Sequence, residues 1–309
     1  MQGTGVIDNF LGTFTQYIDS GFGLVQGDVH WLAGVLIAID ITLAGLFWAM
    51  APEEDVIARL IRKALYIGLF AFIIGNFNSL AQVIFNSFAG LGIEAGGGTL
   101  TQAQLLQPGH YAQIGIDAGK PILTAISGLM GFTSFFANFA QIAILFIAWL
   151  IVVLSFFVMA IQLFVTLIEF KLTTLAGFVL VPFGLFGRTA FLAEKVLGNV
   201  VSSGIKILML AVIIGIGSTI FGQFTSGIAN PPTIDDALTI ILASLSLLGL
   251  SIFGPSIANG LIAGGPQLGA GAAVGTGLAA GGLGAAGMAA GIGGLRATGG
   301  TISAAAHKS

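Results

Sequence analysis

The sequence predicts an all-α polytopic membrane protein with about five transmembrane helices, a re-entrant or broken hairpin and an outer amphipathic loop. Of its 309 residues, 56% are hydrophobic and only 7% are charged, whereas a soluble domain carries about 25% charged residues. Several uncharged runs also reach the ~20 residues that a helix needs to cross a bilayer. Lipid is therefore the expected surroundings of most of this chain.

Composition also excludes several kinds of activity. The net charge of −3 argues against a chain that binds nucleic acid by neutralising phosphates. The absence of cysteine excludes disulfides, thiolate catalysis and cysteine metal sites, and the three histidines are too scattered to suggest a ligand set. Walker, HExxH and GxSxG signatures are missing as well. We therefore predict no enzymatic activity, no cofactor and no metal.

The first two predicted elements are an amphipathic helix and a membrane span. Residues 6–25 place apolar side chains on one helical face, which suits either a helix in the membrane interface or a packing helix. The first span covers residues 29–50, with Trp31 and Trp48 near its ends as interfacial aromatic residues. No basic and apolar signal-peptide pattern precedes it, so either this span directs insertion or the chain begins at a processed end.

The second and third spans differ in polarity. The second covers residues 65–88 and carries four amide side chains that we expect to face protein or water: Asn76, Asn78, Gln82 and Asn86. Residues 89–131 form the predicted outer loop, with short amphipathic pieces. The third span, 139–168, is about 45 Å long as a helix, so it should tilt or project beyond the ~30 Å hydrocarbon core.

A short apolar segment, residues 172–187, follows the third span and is interrupted by Pro182. Two more spans are predicted at 203–221 and 237–262, before a tail rich in glycine and alanine. The predicted organisation is an outer amphipathic helix, the first two spans, a periplasmic loop, a core with the remaining spans, and a cytoplasmic tail: 1–28, 29–88, 89–131, 132–262 and 263–309.

The basic residues select the topology. If residues 172–187 do not cross, one side of the membrane holds most of the cations: Arg59, Arg62, Lys63, Lys171, Arg188, Lys195, Arg296 and Lys308. Only Lys120 lies outside, and a sixth span would remove this asymmetry. The positive-inside rule therefore favours five spans, an outer N-terminus and a cytoplasmic C-terminus. Segment 172–187 then needs protein or a water-filled cavity to cover its backbone.

Four charged residues stand out within or beside the spans. Asp40, near the middle of the first span, is either a proton or ion site or a neutral group hydrogen-bonded across a helix interface. Lys206 either extends its amine to the cytoplasmic edge or lines a pore. Glu169 and Lys171 are expected to anchor the third span at the interface.

Residues 108–217 resemble the TrbL family of P-type conjugative transfer proteins, the polytopic inner-membrane subunits of type IV secretion systems. The resemblance rests on four features in order: Pro108-Gly109-His110-Tyr111 through Pro121-Ile122, Ala148-Trp149-Leu150 within a long span, Ile168-Glu169-Phe170-Lys171 leading to Leu180-Val181-Pro182-Phe183-Gly184-Leu185-Phe186-Gly187, and Glu194-Lys195-Val196 through Gly215-Ile216-Gly217.

The resemblance implies a scaffold or channel in a bacterial inner membrane. Such a subunit would form a homo-oligomeric ring, support a minor pilin outside and contact the assembly ATPase inside. It would assist pilus assembly and passage of single-stranded DNA with its relaxase. The outer loop would meet periplasmic partners. The resulting candidates for partner contact or substrate passage are Trp149, Glu169, Lys171, Pro182, Asp40 and Lys206.

Two other classes remain open at this stage. A secondary transporter or ion channel would use Asp40, Lys206 and segment 172–187 as a midplane site, although the two halves show no internal repeat. A membrane anchor without a transport role is the other alternative. Neither carries a distinguishing motif.

Overall fold

The computed structural model describes residues 3–50, 55–98, 100–131, 134–226 and 233–263. Within these ranges the regular secondary structure is helical throughout and contains no strand, which confirms the predicted fold class. The helices are α1 Val6–Met50, α2 Val56–Gly75, α3 Phe77–Ala95, α4 Gln102–Leu105, α5 Pro108–Leu129, α6 Ser134–Ala137, α7 Phe139–Leu180, α8 Ala190–Ser226 and α9 Ile234–Ala263, with a 3₁₀ turn at Val181–Leu185. The tail predicted at 263–309 lies outside the described residues beyond its first position.

Helix α1 joins the predicted amphipathic helix and the predicted first span into one helix of 45 residues. Its buried side chains recur every three, four or seven residues across the expected boundary: Leu11, Ile18, Phe22, Val29, Ala33, Leu36 and Asp40. This spacing keeps one stripe of the helix against its neighbours. No proline interrupts the chain between the two predicted elements, so the helix continues.

Helices α1 and α7 run in the same direction with a large offset. The rings of Phe10 and Phe164 lie 5.7 Å apart, and those of Phe22 and Phe178 lie 5.5 Å apart. The first half of α1 therefore packs along the second half of α7, and residues 30–50 continue past the end of α7. The stretches predicted as the first and third spans consequently do not lie side by side.

The predicted second span is divided at Asn76 into α2 and α3. The backbone N–H of Asn76 and its side-chain amide both donate to the carbonyl of Phe72, at 3.1 and 3.0 Å. A side chain that competes for a helical carbonyl in this way bends or ends a helix. The described residues therefore contain four, not five, helices long and apolar enough to span a membrane: Val6–Met50, Phe139–Leu185, Ala190–Gln223 and Ile234–Ala258.

The predicted outer loop contains a helix of 22 residues, α5, instead of short amphipathic pieces. Pro108 begins it, where a missing N–H costs nothing. The Gly109 N–H donates to the Asp8 carboxylate at 2.7 Å, so α1 caps the start of α5. Helix α5 then packs along the first half of α7 and buries Tyr111 completely. Segment 108–129 is therefore part of the protein core.

The third predicted span extends further than expected, because α7 runs through residues 172–180 to Leu180. Pro182 then lies in the 3₁₀ turn, where its missing N–H prevents the α-helical hydrogen bond from continuing. Helix α8 returns along α7, and α9 packs on both. Segment 172–187 is thus the end of a helix followed by a tight turn.

Candidate functional site

Two ion pairs join three helices at one level of the molecule. Glu169 contacts Lys206 of α8, and the Lys171 ammonium lies 2.8 and 3.0 Å from the two carboxylate oxygens of Asp19 on α1. Glu169 and Lys171 are two residues apart, about 200° around a helix, so they reach different neighbours. We call these four side chains the polar layer.

The polar layer is partly shielded from solvent. The Lys206 side chain is 12% exposed and the Glu169 side chain 41%. A cation held at this depth is stabilised mainly by its carboxylate partner, and removal of one partner would leave an unmatched charge among apolar helices. Lys206 therefore contacts α7 through Glu169, and its two predicted roles, at the membrane edge or in a pore, stay predictions.

Asp40 lies away from the polar layer, on the part of α1 that extends past α7. Its carboxylate is largely buried and contacts the Lys63 ammonium of α2. Asp40 thus makes a contact across a helix interface, and its partner is the cation Lys63, which the sequence analysis did not identify as a partner. This pair links α1 to α2 where few other contacts do.

Trp149 faces α5 instead of the polar layer, about 30 Å from Glu169 along α7. A Cβ atom at Gly119 would lie 2.7 Å from the Trp149 ring, and one at Gly115 would lie 2.3 Å from the Phe156 Cβ atom. Two glycines one helical turn apart therefore allow α5 to approach the large side chains of α7 closely.

Pro182 belongs to a joint between the 3₁₀ turn and α2. The Tyr66 hydroxyl donates to the Gly184 carbonyl at 2.9 Å. The Phe70 ring covers Gly184 so closely that a Cβ atom there would lie 2.1 Å from a ring carbon. We call Tyr66, Phe70 and the turn Val181–Leu185 the elbow.

Two side chains of α5 have shifted pKa values. Burial raises the pKa of the Tyr111 phenol well above its ordinary value. Hydrogen bonds from Lys120 and then Gln113 lower the pKa of the Asp117 carboxyl. Asp117 is on the surface, so this shift describes a local contact. Within the described ranges, no group of three or more histidine, aspartate or glutamate side chains could hold a metal.

The structure therefore brings Glu169, Lys171 and Lys206 together and separates them from Trp149, Pro182 and Asp40. Sequence reasoning missed Asp19 and Lys63, whose partners lie on other helices. It also missed the structural roles of Gly115, Gly119 and Gly184. The sequence did offer one signal for the contact between Asp19 and α7, because Asp19 directly follows Ile18 of the buried stripe on α1.

A sequence model of the family described as "TrbL/VirB6 plasmid conjugal transfer protein" matches residues 37–254. The chain belongs to this family. The matched region contains all six candidate residues, both partners of the Asp40–Lys63 pair and the whole elbow. Asp19 precedes it. The protein is accordingly a helical membrane protein of the TrbL/VirB6 conjugal transfer family.

Two relatives of this TrbL/VirB6 chain agree with that assignment. It is 29% identical over 247 residues to the conjugal transfer protein TrbL of Rhizobium radiobacter, covering 78% of this chain and 58% of the relative. It is 28% identical over 237 residues to the probable conjugal transfer protein TrbL of Sinorhizobium fredii (strain NBRC 101917 / NGR234), covering 74% of this chain and 56% of the relative. The chain thus spans less than two thirds of either relative.

Proposed function

We propose that the protein is an inner-membrane scaffold or channel subunit of a conjugative type IV secretion system. It assembles as a homo-oligomeric ring with a periplasmic N-terminus and a cytoplasmic C-terminus. Its partners are a minor pilin, the assembly ATPase and other subunits of the secretion system. The ring supports pilus assembly and translocation of single-stranded DNA with its relaxase.

The observation that carries this proposal is the family match over residues 37–254. The ion pairs support the scaffold aspect, because Asp40, Glu169, Lys171 and Lys206 each neutralise a charge on another helix. Such contacts fix helices relative to one another. The four candidate spans found among the described residues are also too few to enclose a passage for a DNA strand, which favours several copies.

The orientation is supported by the positions of the basic residues. Three cations lie on the part of α2 that precedes the elbow residues Tyr66 and Phe70: Arg59, Arg62 and Lys63. Two more flank the elbow turn, Lys171 near the end of α7 and Arg188 just after the turn. Lys120 lies on α5, which covers the opposite half of α7. An end rich in cations is expected to remain cytoplasmic.

The experiment that separates a scaffold from a transporter removes the Asp40 carboxylate without leaving Lys63 unmatched. We compare Asp40→Asn with the double variant Asp40→Asn/Lys63→Gln, and measure mating frequency and protein level in donor cells. The single variant should lower both, because an unpaired buried charge costs about 3–5 kcal/mol. The double variant should restore protein level and transfer together.

A transporter that uses Asp40 as its proton or ion site predicts a different result. The double variant would then accumulate normally and still fail to transfer DNA, since the titratable carboxylate is gone. That result would exclude the scaffold interpretation of Asp40. Recovery of transfer would exclude the transporter alternative built on this residue.

A further inference from the structure

A groove separates α1 from α3 on the surface of α7. Two adjoining cavities of about 250 and 180 Å³ lie along it and share Asn78. Its floor is mainly apolar and comes from α7, through Leu167, Phe170 and Phe178. We call this feature the α1–α3 groove.

One wall of the groove carries a row of amides. Asn78, Gln82 and Asn86 occupy positions four residues apart on α3, so they share one helical face. The Asn86 side-chain oxygen accepts a hydrogen bond from Gln102 at 2.7 Å. In the described part of the chain, the side-chain amides of Asn78 and Gln82 make no hydrogen bond.

The charges of the groove favour a neutral polar ligand. Lys171 lines it, but Asp19 already matches the charge of its ammonium. A phosphate would therefore find no unmatched cation in the groove. Each primary amide offers both donors and an acceptor, so a complementary ligand presents acceptors and donors in repeating order beside apolar groups.

A polypeptide in extended conformation has this arrangement. Four residues of α-helix rise about 6.0 Å, and every second residue of a strand, about 6.6–6.8 Å apart, directs its N–H and C=O to the same edge. The amide row therefore matches one strand edge in spacing and chemistry. An acyl chain offers no partner to these amides along its length.

We propose that the α1–α3 groove binds an extended segment of a partner polypeptide, which pairs its backbone with Asn78, Gln82 and Asn86. Apolar side chains of that segment lie on the α7 floor. The second edge of an extended segment would have no partner in the groove, so its backbone groups need access to water. The groove adjoins the polar layer through Lys171, which is consistent with such access. This inference goes beyond the proposed function and does not depend on how DNA crosses the membrane.

The test places a photoreactive p-benzoylphenylalanine at Asn78, Gln82 or Asn86, one at a time, in the full chain within cells that carry its transfer system. Mass spectrometry then identifies the residue that is cross-linked from each position. The three positions should map to one segment of one protein, at residues two apart in succession. The control position is Val83, which is 61% exposed and does not line either cavity of the groove.

Three results would overturn the proposal: target residues three or four apart, which indicate a docked helix; adducts to lipid alone; or adducts at the groove positions that equal those at Val83. The double variant Asn78→Leu/Gln82→Leu provides an independent measurement with the probe at Asn86. Its thermal unfolding should match that of the parent, since neither amide has an internal partner. Its cross-linking yield should fall about tenfold or more with the loss of two hydrogen bonds, and an unchanged yield would contradict the pairing.

Discussion

The helical bundle and the hairpin that projects from it use apolar sequence in opposite ways. The bundle comprises α3, α5, α7, α8 and α9. The projecting hairpin comprises residues 30–50 of α1 and 56–70 of α2. In the most apolar window of α8, 44% of residues are buried within the protein, against 17% in that of α1. Hydropathy measures how much apolar surface a segment has, and packing decides whether protein or lipid covers it.

Large apolar side chains differ in exposure between the two regions. The bundle buries large residues completely: Phe156, Met159, Leu163, Ile207, Leu210 and Ile214. The projecting hairpin leaves comparable residues more than half exposed: Leu46, Phe47, Met50, Ile57, Leu60 and Leu65. The Asp40–Lys63 pair, the elbow and the buried side chains Ala33 and Leu36 are among the contacts that hold the hairpin in place. The bundle should therefore unfold as a packed unit, whereas the hairpin depends more strongly on its surroundings.

The largest expected difference comes from shortening one leucine in each region. Leu163→Ala removes a fully buried side chain from α7 and should cost about 2–5 kcal/mol. Leu46→Ala, at a position 61% exposed, should change the free energy of unfolding by less than about 0.5 kcal/mol. Unfolding of both variants in mild detergent gives the comparison. Equal losses would mean that the hairpin packs against protein as tightly as the bundle does.

The sequence predicted which segments are helical better than it predicted where they lie. The apolar runs of α7, α8 and α9 were recognisable because a long uncharged run has few other stable conformations in lipid. Their relative levels were not, because the offset of α1 along α7 depends on pairs such as Asp19 and Lys171, which are far apart in sequence. A single sequence does not specify such pairs.

For the candidate site, the sequence likewise identified individual residues but not the contacts between them. Asp40, Glu169, Lys171 and Lys206 were identified because charges within apolar stretches are costly. Their partners were not, since Lys63 looked like one of several ordinary loop cations. The end of α2 was signalled by the amides that begin at Asn76. The spacing of apolar residues in α1 continues across residue 28, but the change from an amphipathic to a uniformly apolar sequence near that position led to the prediction of two separate elements.

The second prediction concerns the joint between the two regions. Gly184→Ala should destabilise the protein by about 1–3 kcal/mol, because the new Cβ atom would lie 2.1 Å from a Phe70 ring carbon. The matched control is Gly187→Ala, where nothing lies within 4 Å of the added atom. Thermal unfolding and limited proteolysis of α2 check the effect.

A double variant tests the cause of that loss. Phe70→Leu removes the ring that Gly184→Ala would strike, so the combination should be less damaging than the sum of the two single changes. Strict additivity would show that the close approach at Gly184 is not what holds the hairpin to the bundle.

The smallest expected effect distinguishes two tyrosine hydroxyls, one in each region. The Tyr66 hydroxyl donates to the Gly184 carbonyl at the elbow, so Tyr66→Phe should cost about 0.5–1.5 kcal/mol. Tyr111 lies on α5, and its hydroxyl is buried and has no hydrogen-bond partner among the described residues. Tyr111→Phe should therefore leave stability unchanged or raise it, since a buried unsatisfied hydroxyl is itself unfavourable.

The pH dependence of unfolding separates these variants further. Burial raises the pKa of the Tyr111 phenol, so the folded state favours the protonated form. That contribution to stability is fully present below the ordinary tyrosine pKa of about 10 and decreases as pH rises through the higher folded value. Tyr111→Phe should remove this alkaline loss, which is measured by unfolding the parent and the variant between about pH 8 and 11. A variant that is less stable than the parent at neutral pH would instead indicate that the Tyr111 hydroxyl has a polar partner.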